Sequence, residues 1–273
     1  MRKRAVSADE TEDTSGEQDR QFITALHRGL EVLRAFRPED RSGLSNGDIA
    51  QRTGLPNSTV SRLTFTLLKS GYLLYDKQTG RYRMGVPVLS LGFACLNGLP
   101  IREAARDYMQ ELADSCGEGV LVGLGGRVEH TMIYVAAARS RSVISLQLDV
   151  GSRISLARSS MGRAYLAACS VQEKAELLSA LEKRAGPDKW PTLREGIEDA
   201  AEQIARRGFY LNLGEWQTGV NSVSVPFARG RDNEPLLAFN LGGPANYLPV
   251  EKLENECGPK LLKMVNLLRN SRI

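Results

Sequence analysis

Two short amphipathic segments joined by a three-residue turn constrain this chain more than anything else in it. In Leu44-Ser45-Asn46-Gly47-Asp48-Ile49-Ala50, Ser45 is followed three residues later by Asp48, the spacing of a capping box that opens a short helix. Gly54 closes that helix, because a left-handed cap costs least where there is no Cβ. After Leu55-Pro56 another helix begins near Asn57-Ser58-Thr59 and runs to Ser70, with Val60, Leu63 and Leu67 as its inner stripe. Upstream, Phe22–Phe36 sets Ile23, Leu26, Leu30 and Leu33 at three- and four-residue steps, which predicts a third amphipathic helix, with Pro38 just past its end.

The outer face of the helix after the turn displays Asn57, Ser58, Thr59, Ser61, Arg62 and Thr66. Short hydroxyl and amide side chains let a backbone approach a duplex closely, and an arginine can make a bidentate contact with guanine. Gly71–Tyr75 then alternates like a strand, Asp76–Gly80 reads as a turn, and Arg81–Met84 returns as a second strand. Lys77, Arg81 and Arg83 make this hairpin a basic wing against phosphates, with Ser45 at the earlier helix start beside it. The alternative is a small helical subdomain with a capping hairpin.

Charge supports the first reading. Residues 20–84 hold 11 Lys and Arg against 5 Asp and Glu, residues 85–97 hold none, and residues 98–273 hold 22 against 21. A basic segment ahead of a neutral body suggests a polyanion-binding module, although a solvated charged face would give the same count. Residues 1–20 are polar and charged, with an Arg2-Lys3-Arg4 cluster, and read as a disordered arm. They lack the apolar core of a secretory signal, and no apolar run approaches the roughly 20 residues of a membrane span. The expectation is a cytoplasmic protein without membrane contact. The four cysteines form no CxxC pair, so they read as small buried or half-buried apolar residues, with no metal site and no cofactor implied.

The run from Ile49 through Gly54-Leu55-Pro56 to Leu63 resembles the winged helix-turn-helix of the IclR family of bacterial transcription regulators. Gly71-Tyr72 and Arg81-Tyr82-Arg83-Met84-Gly85 match that family's wing and its exit. The likeness continues through Gly151–Ala168, Gly208–Pro226 and Glu234–Pro244 of the body, so it covers roughly residues 20–270. It implies a linker helix over residues 85–98 and a GAF-like effector-binding domain over 99–273, behind a DNA-binding domain over 21–84. A homodimer joined through the N-terminal domains, or a homotetramer, is also implied.

Gly85–Asn97 is apolar, uncharged and helically spaced at Val88, Leu91 and Cys95. Such a helix must bury most of its surface, against a second copy or against its own chain. Beyond it, helices are predicted at Ile101–Cys116, Ser160–Ala168, Val171–Leu181, Leu193–Arg207 and Val250–Leu268. Strands are predicted at Val120–Leu124, Met132–Ala137, Val143–Leu148, Phe209–Leu213, Asn221–Ala228 and Pro235–Leu241. This order indicates an α+β domain with a largely antiparallel sheet. Gly123-Leu124-Gly125-Gly126 lacks the last glycine of a dinucleotide fingerprint and reads as a turn between strands.

Within the body, Ser159-Ser160-Met161-Gly162 offers free backbone N–H groups at a helix start, which favours a carboxylate, and Arg153 and Arg158 stand just upstream. An ordinary N-cap with solvated arginines is the plainer alternative. The resemblance carries the effector pocket onto Ser160 and Met161 with Ile154 beside them, onto Asn212, Val220 and Ser222, and onto Asn240 and Gly242. Trp216 adds aromatic surface at the rim. This chain departs from the family at Ala157-Arg158, where His-Ala is frequent, at Asn212, where an acidic residue is common, and at Asn240 and Gly242, where serines are common. The changed polar set points to an aromatic or bulkier small organic acid.

Together these features predict a sequence-specific regulator of double-stranded DNA at a near-palindromic operator, controlled by such an acid. Two rivals are a constitutive DNA binder with a degenerate pocket and an enzyme anchored to DNA. The second would need a nucleophile and a base, and His130 lacks triad spacing.

Overall fold

The computed structural model describes residues 22–229 and 234–271, so the predicted arm over residues 1–20 lies outside the described residues. The chain divides into two units at Cys95/Leu96.

The N-terminal unit contains α1 (Thr24–Arg34), α2 (Asn46–Thr53), α3 (Asn57–Lys69) and a hairpin of β1 (Leu73–Asp76) and β2 (Arg81–Met84). Ser45 caps α2 as its spacing requires. Its Oγ accepts from Asp48 N at 3.1 Å, while Asp48 Oδ2 accepts from Ser45 N at 2.9 Å. Gly54 takes φ +69°, the left-handed conformation that ends α2 and admits the turn. Val32, Ala35, Leu44, Ile49, Val60 and Leu73 form the core. Thr64 joins α3's inner stripe, because its hydroxyl donates to the Val60 carbonyl at 2.9 Å and so needs no water.

The predicted stripe of α1 is corrected. Only Val32 of the helix is fully buried, while Ile23, Leu26 and Leu30 stay exposed. The helix packs through its C-terminal half, so its apolar periodicity is not matched by a partner within the unit. The linker helix α4 (Val86–Asn97) forms as predicted and buries none of its residues.

The C-terminal unit is built on six antiparallel strands in the order β5-β4-β3-β8-β7-β6. These are β3 (Leu121–Val128), β4 (Thr131–Arg139), β5 (Arg153–Ser155), β6 (Tyr210–Leu213), β7 (Val220–Phe227) and β8 (Leu237–Pro244). Its helices are α5 (Pro100–Ser115), α6 (Ser160–Ala168), α7 (Val171–Ala185), α8 (Trp190–Arg207), α9 (Val250–Lys252) and α10 (Gly258–Asn270). The fold is α+β, as expected.

Strand periodicity separates two cores. Val223, Val225, Phe239 and Leu241 point to one face, where Ala105, Met109, Leu261 and Val265 of α5 and α10 cover them. Leu121, Tyr134 and Ala238 join Met161, Leu177, Leu181 and Ile197 of α6, α7 and α8 in the other.

Four expectations are corrected here. Val143–Leu148 is no strand: Val143 and Ile144 are exposed, and β4's edge pairs with Arg153–Ser155 instead. Gly123–Gly126 is no turn but the middle of β3, paired with Asn240 and Leu237 of β8 at its two ends. The C-terminal helix is broken by one π-helical segment, Leu253–Cys257. Cys95 is exposed, because α4 buries nothing, while Cys116 and Cys257 are buried and Cys169 is half-buried.

Candidate DNA interface and effector recess

In the N-terminal unit the helix spacing leaves Asn57, Ser58, Ser61, Arg62 and Thr66 exposed on α3, with Thr59 half-buried. Asn46, which the sequence reading did not select, ties α2 to α3. Its Nδ2 donates to the Asn57 carbonyl at 3.2 Å, and its Oδ1 accepts from Ser61 Oγ at 3.3 Å. The Arg62 guanidinium makes no hydrogen bond or ion pair among the described residues. On the hairpin, Lys77 and Arg83 are exposed. Arg81 instead turns inward, donating to the Gly43 carbonyl at 2.7 Å and pairing with Asp48 at 3.3 Å, and so fixes the wing to the start of α2. Ser45 is spent on its cap.

In the C-terminal unit, period-2 alternation turns Tyr210 and Asn212 of β6, Ser222 and Ser224 of β7, and Asn240 and Gly242 of β8 away from the apolar face. The N-terminus of α6 lies against them. Ser159 is its cap and accepts from Gly162 N at 3.1 Å. Ser160 Oγ is bonded to Ser222 Oγ at 2.9 Å and to Ser224 Oγ at 2.7 Å. A narrow recess lies here, lined by Tyr134, Leu146, Leu148, Ile154, Ser159, Ser160, Trp216, Val220, Ser222, Asn240 and Gly242.

Seven predicted residues therefore meet at one recess: Ile154, Ser160, Trp216, Val220, Ser222, Asn240 and Gly242. Three do not line it. Met161 is buried against the sheet, its sulfur 2.3 Å from where a Cβ on Gly125 would stand. Asn212 is buried and spent, donating to the Arg158 carbonyl at 2.9 Å and accepting from Trp216 N at 3.2 Å. Arg158 donates to the carbonyls of Glu215 and Trp216, both at 3.0 Å. It thus fastens the Gly214–Gly219 loop instead of facing the recess.

Among the described residues no charged side chain lines the recess. A buried charge on the same helix is Arg163, which donates to the Ala157 carbonyl at 2.9 Å and pairs with Glu215 at 2.7 Å. It also contacts the Tyr210 hydroxyl, whose pKa burial pushes up to about 12. Gly196 makes room for it, since a Cβ there would stand 2.2 Å from the guanidinium. Tyr134 was missed because it sits in an apolar run. The available signal was glycine on the facing strand: a Cβ on Gly123 would fall 2.2 Å from the Tyr134 ring. Burial drives the Tyr134 hydroxyl's pKa upward, so it stays protonated at neutral pH.

A winged helix-turn-helix ahead of a sheet domain with a recess at a helix start is the architecture of a DNA-binding regulator with an effector domain. Comparison with known proteins agrees. Residues 25–77 match the IclR helix-turn-helix domain and residues 93–267 the bacterial transcriptional regulator IclR C-terminal family, so the chain belongs to the IclR family. It is 31% identical over 255 residues to the HTH-type transcriptional regulator TsaQ1/TsaQ2 of Comamonas testosteroni, covering 93% of this chain and 90% of that protein. An IclR family transcriptional regulator from Brucella abortus superposes with a TM-score of 0.86 at 41% identity, over 94% of this chain and 95% of that one. The fold is shared by an IclR homolog from Microbacterium hydrocarbonoxydans complexed with 4-hydroxybenzoate, with a TM-score of 0.61, 22% identity, and 90% and 95% coverage. The family's members are transcriptional regulators and not enzymes, so the enzymatic rival falls. Among the described residues no helix is long and apolar enough to cross a membrane.

Proposed function

We propose that the chain reads a near-palindromic operator as a homodimer or homotetramer, and that a small organic acid, aromatic or bulkier than a simple keto acid, controls that binding. The observation that carries the DNA half is the exposed polar face of α3, with Arg62 unpaired at its centre. Asn57, Ser58, Thr59, Ser61 and Thr66 surround Arg62 at the groove, while Lys77, Arg83, Arg81 and the Ser45 helix start serve phosphates. Arg81 and Ser45 act through position, since their side chains already hold the wing and α2. Exposed Ile23 just before α1, Leu26 and Leu30 on it, and Val86, Leu89 and Phe93 on α4 support self-association, which would give the two half-sites their fixed spacing.

For the effector, the recess supplies Ser160 and the start of α6 for a carboxylate. Ile154, Trp216 and Val220 supply an apolar wall, with Ser222, Asn240 and Gly242 at the sheet. Met161, Asn212 and Arg158 shape it from behind. An effector shifts DNA affinity only by favouring one arrangement of the dimer over another.

The test is Arg62→Ala against an operator selected from a random duplex pool. Specific affinity falls by about 1–3 kcal/mol if Arg62 reads a base, with little change on random duplexes. Equal loss on both confines Arg62 to phosphate.

A further inference from the structure

The recess holds a polar pair that the chain leaves half-satisfied. Asn240 is only 5% exposed, and its Nδ2 donates to the Tyr134 hydroxyl at 3.1 Å, while its Oδ1 is buried with no hydrogen-bond partner. Both residues line the recess. Such an orphaned acceptor is costly in an apolar surrounding, so its retention calls for a partner. The sequence makes room for this arrangement deliberately: Gly123 lies opposite Asn240 in the sheet, and a Cβ there would stand 2.6 Å from Oδ1. Any other residue at Gly123 would push the carboxamide and the Tyr134 ring out of place.

With one Nδ2 hydrogen committed to the tyrosine oxygen, the pair keeps the Tyr134 O–H and the second Nδ2 hydrogen as donors beside one unpartnered acceptor, Asn240 Oδ1. Turning the carboxamide end for end exchanges the atoms and again leaves N–H or O–H donors beside one open acceptor. A carboxylate or a carbonyl oxygen satisfies only the donors. A hydroxyl satisfies a donor and the acceptor with a single atom, because it accepts and donates at once.

We infer that Asn240, with Tyr134, is a specificity-determining pair for a hydroxyl group on the effector, so the ligand is a hydroxylated acid. This rests on the reading of the recess as the effector site. The two polar ends divide the work: the α6 start takes the carboxylate, and the Asn240–Tyr134 pair takes the hydroxyl. Between them lie Leu146, Leu148, Ile154 and Val220, which give the carbon skeleton no hydrogen bond.

Matched ligand pairs test it by calorimetry on the full chain. The probes are 3- and 4-hydroxybenzoate against benzoate, 3-hydroxybutanoate against butanoate, and 4-methoxybenzoate, which accepts a hydrogen bond and cannot donate one. At least one hydroxylated acid binds about tenfold or more tightly than its parent, because the parent leaves the buried pair unpaired. The methoxy compound shows no such gain. In Asn240→Leu the ratio between each hydroxylated acid and its parent falls toward one, whatever the affinity for the parent. Equal binding within every pair, or a preference that survives Asn240→Leu, overturns the assignment and leaves the acid site standing. Failure of every acid to bind in the millimolar range overturns both. The wild-type ratios need no variant, so a folding defect in Asn240→Leu does not blunt the test.

Discussion

The two units place their polar groups in opposite ways. In the N-terminal unit a single polar side chain, Thr64, is buried among the described residues, and the functional face of α3 points to solvent. The C-terminal unit buries nine, and seven of them, Ser159, Ser160, Arg163, Asn212, Ser222, Ser224 and Asn240, gather on one face of the sheet or on the helix above it, apart from Ser140 and Asn221. A surface that reads a duplex must meet a highly charged, hydrated partner from outside, so its scaffold needs only a small apolar core. A site that recognises a small molecule gains selectivity by desolvating it, so its polar groups go inside and must be satisfied one by one. The small core leaves α1 and α4 with exposed apolar surface, whereas the larger unit encloses a core on each side of its sheet.

That contrast can be broken most forcefully at Gly123. Gly123→Val drives a Cβ into the Tyr134 ring and the Asn240 carboxamide, both buried. It destabilises the C-terminal unit by about 3 kcal/mol and closes the recess, while the N-terminal transition stays put. Calorimetric unfolding resolves the two, and a shift shared by both would show that the units do not unfold separately. A smaller effect sits in the other unit. Ser45→Ala removes one half of the capping box and costs about 1 kcal/mol there, with ligand binding to the C-terminal unit unchanged. Chemical denaturation followed from each unit in turn gives the comparison.

The smallest effect is on pH. The Arg52 guanidinium, bonded to Asp40 at 2.5 and 2.8 Å, holds the Asp40 carboxyl below its ordinary value of 3.8. A depressed folded pKa contributes stability that is present above the unfolded value and lost as pH falls through the folded one. Asp40→Asn therefore lowers the stability of the N-terminal unit at neutral pH, and variant and wild type converge as pH falls through the lowered Asp40 pKa. A gap that stays constant down to pH 2 would assign the loss to packing and not to the charge.

Much of the N-terminal unit was legible from the chain because its determinants are local. The Ser45–Asp48 box, the left-handed Gly54 and the polar face of α3 each depend on residues within one or two helical turns. The exposure of Ile23 and Leu26 was not legible, since a periodic apolar face announces a need for burial without saying where the partner lies. In the larger unit the alternation of β7 and β8 was readable, and it already separated Ser222 and Asn240 from Val223 and Phe239. Val143–Leu148 read as a strand on the same evidence and is none, because alternation cannot supply a neighbouring edge.

What the chain determined by itself is the set of elements and their faces, for those follow from backbone geometry and the period of apolar residues. Only the tertiary structure decided the recess. Gly123 and Asn240 are 117 positions apart in the sequence, and Arg163 finds its space beside Gly196 on another helix. A missing Cβ has meaning only when the side chain that fills its place is known, and that neighbour is chosen by strand register and helix packing rather than by anything nearby in the chain.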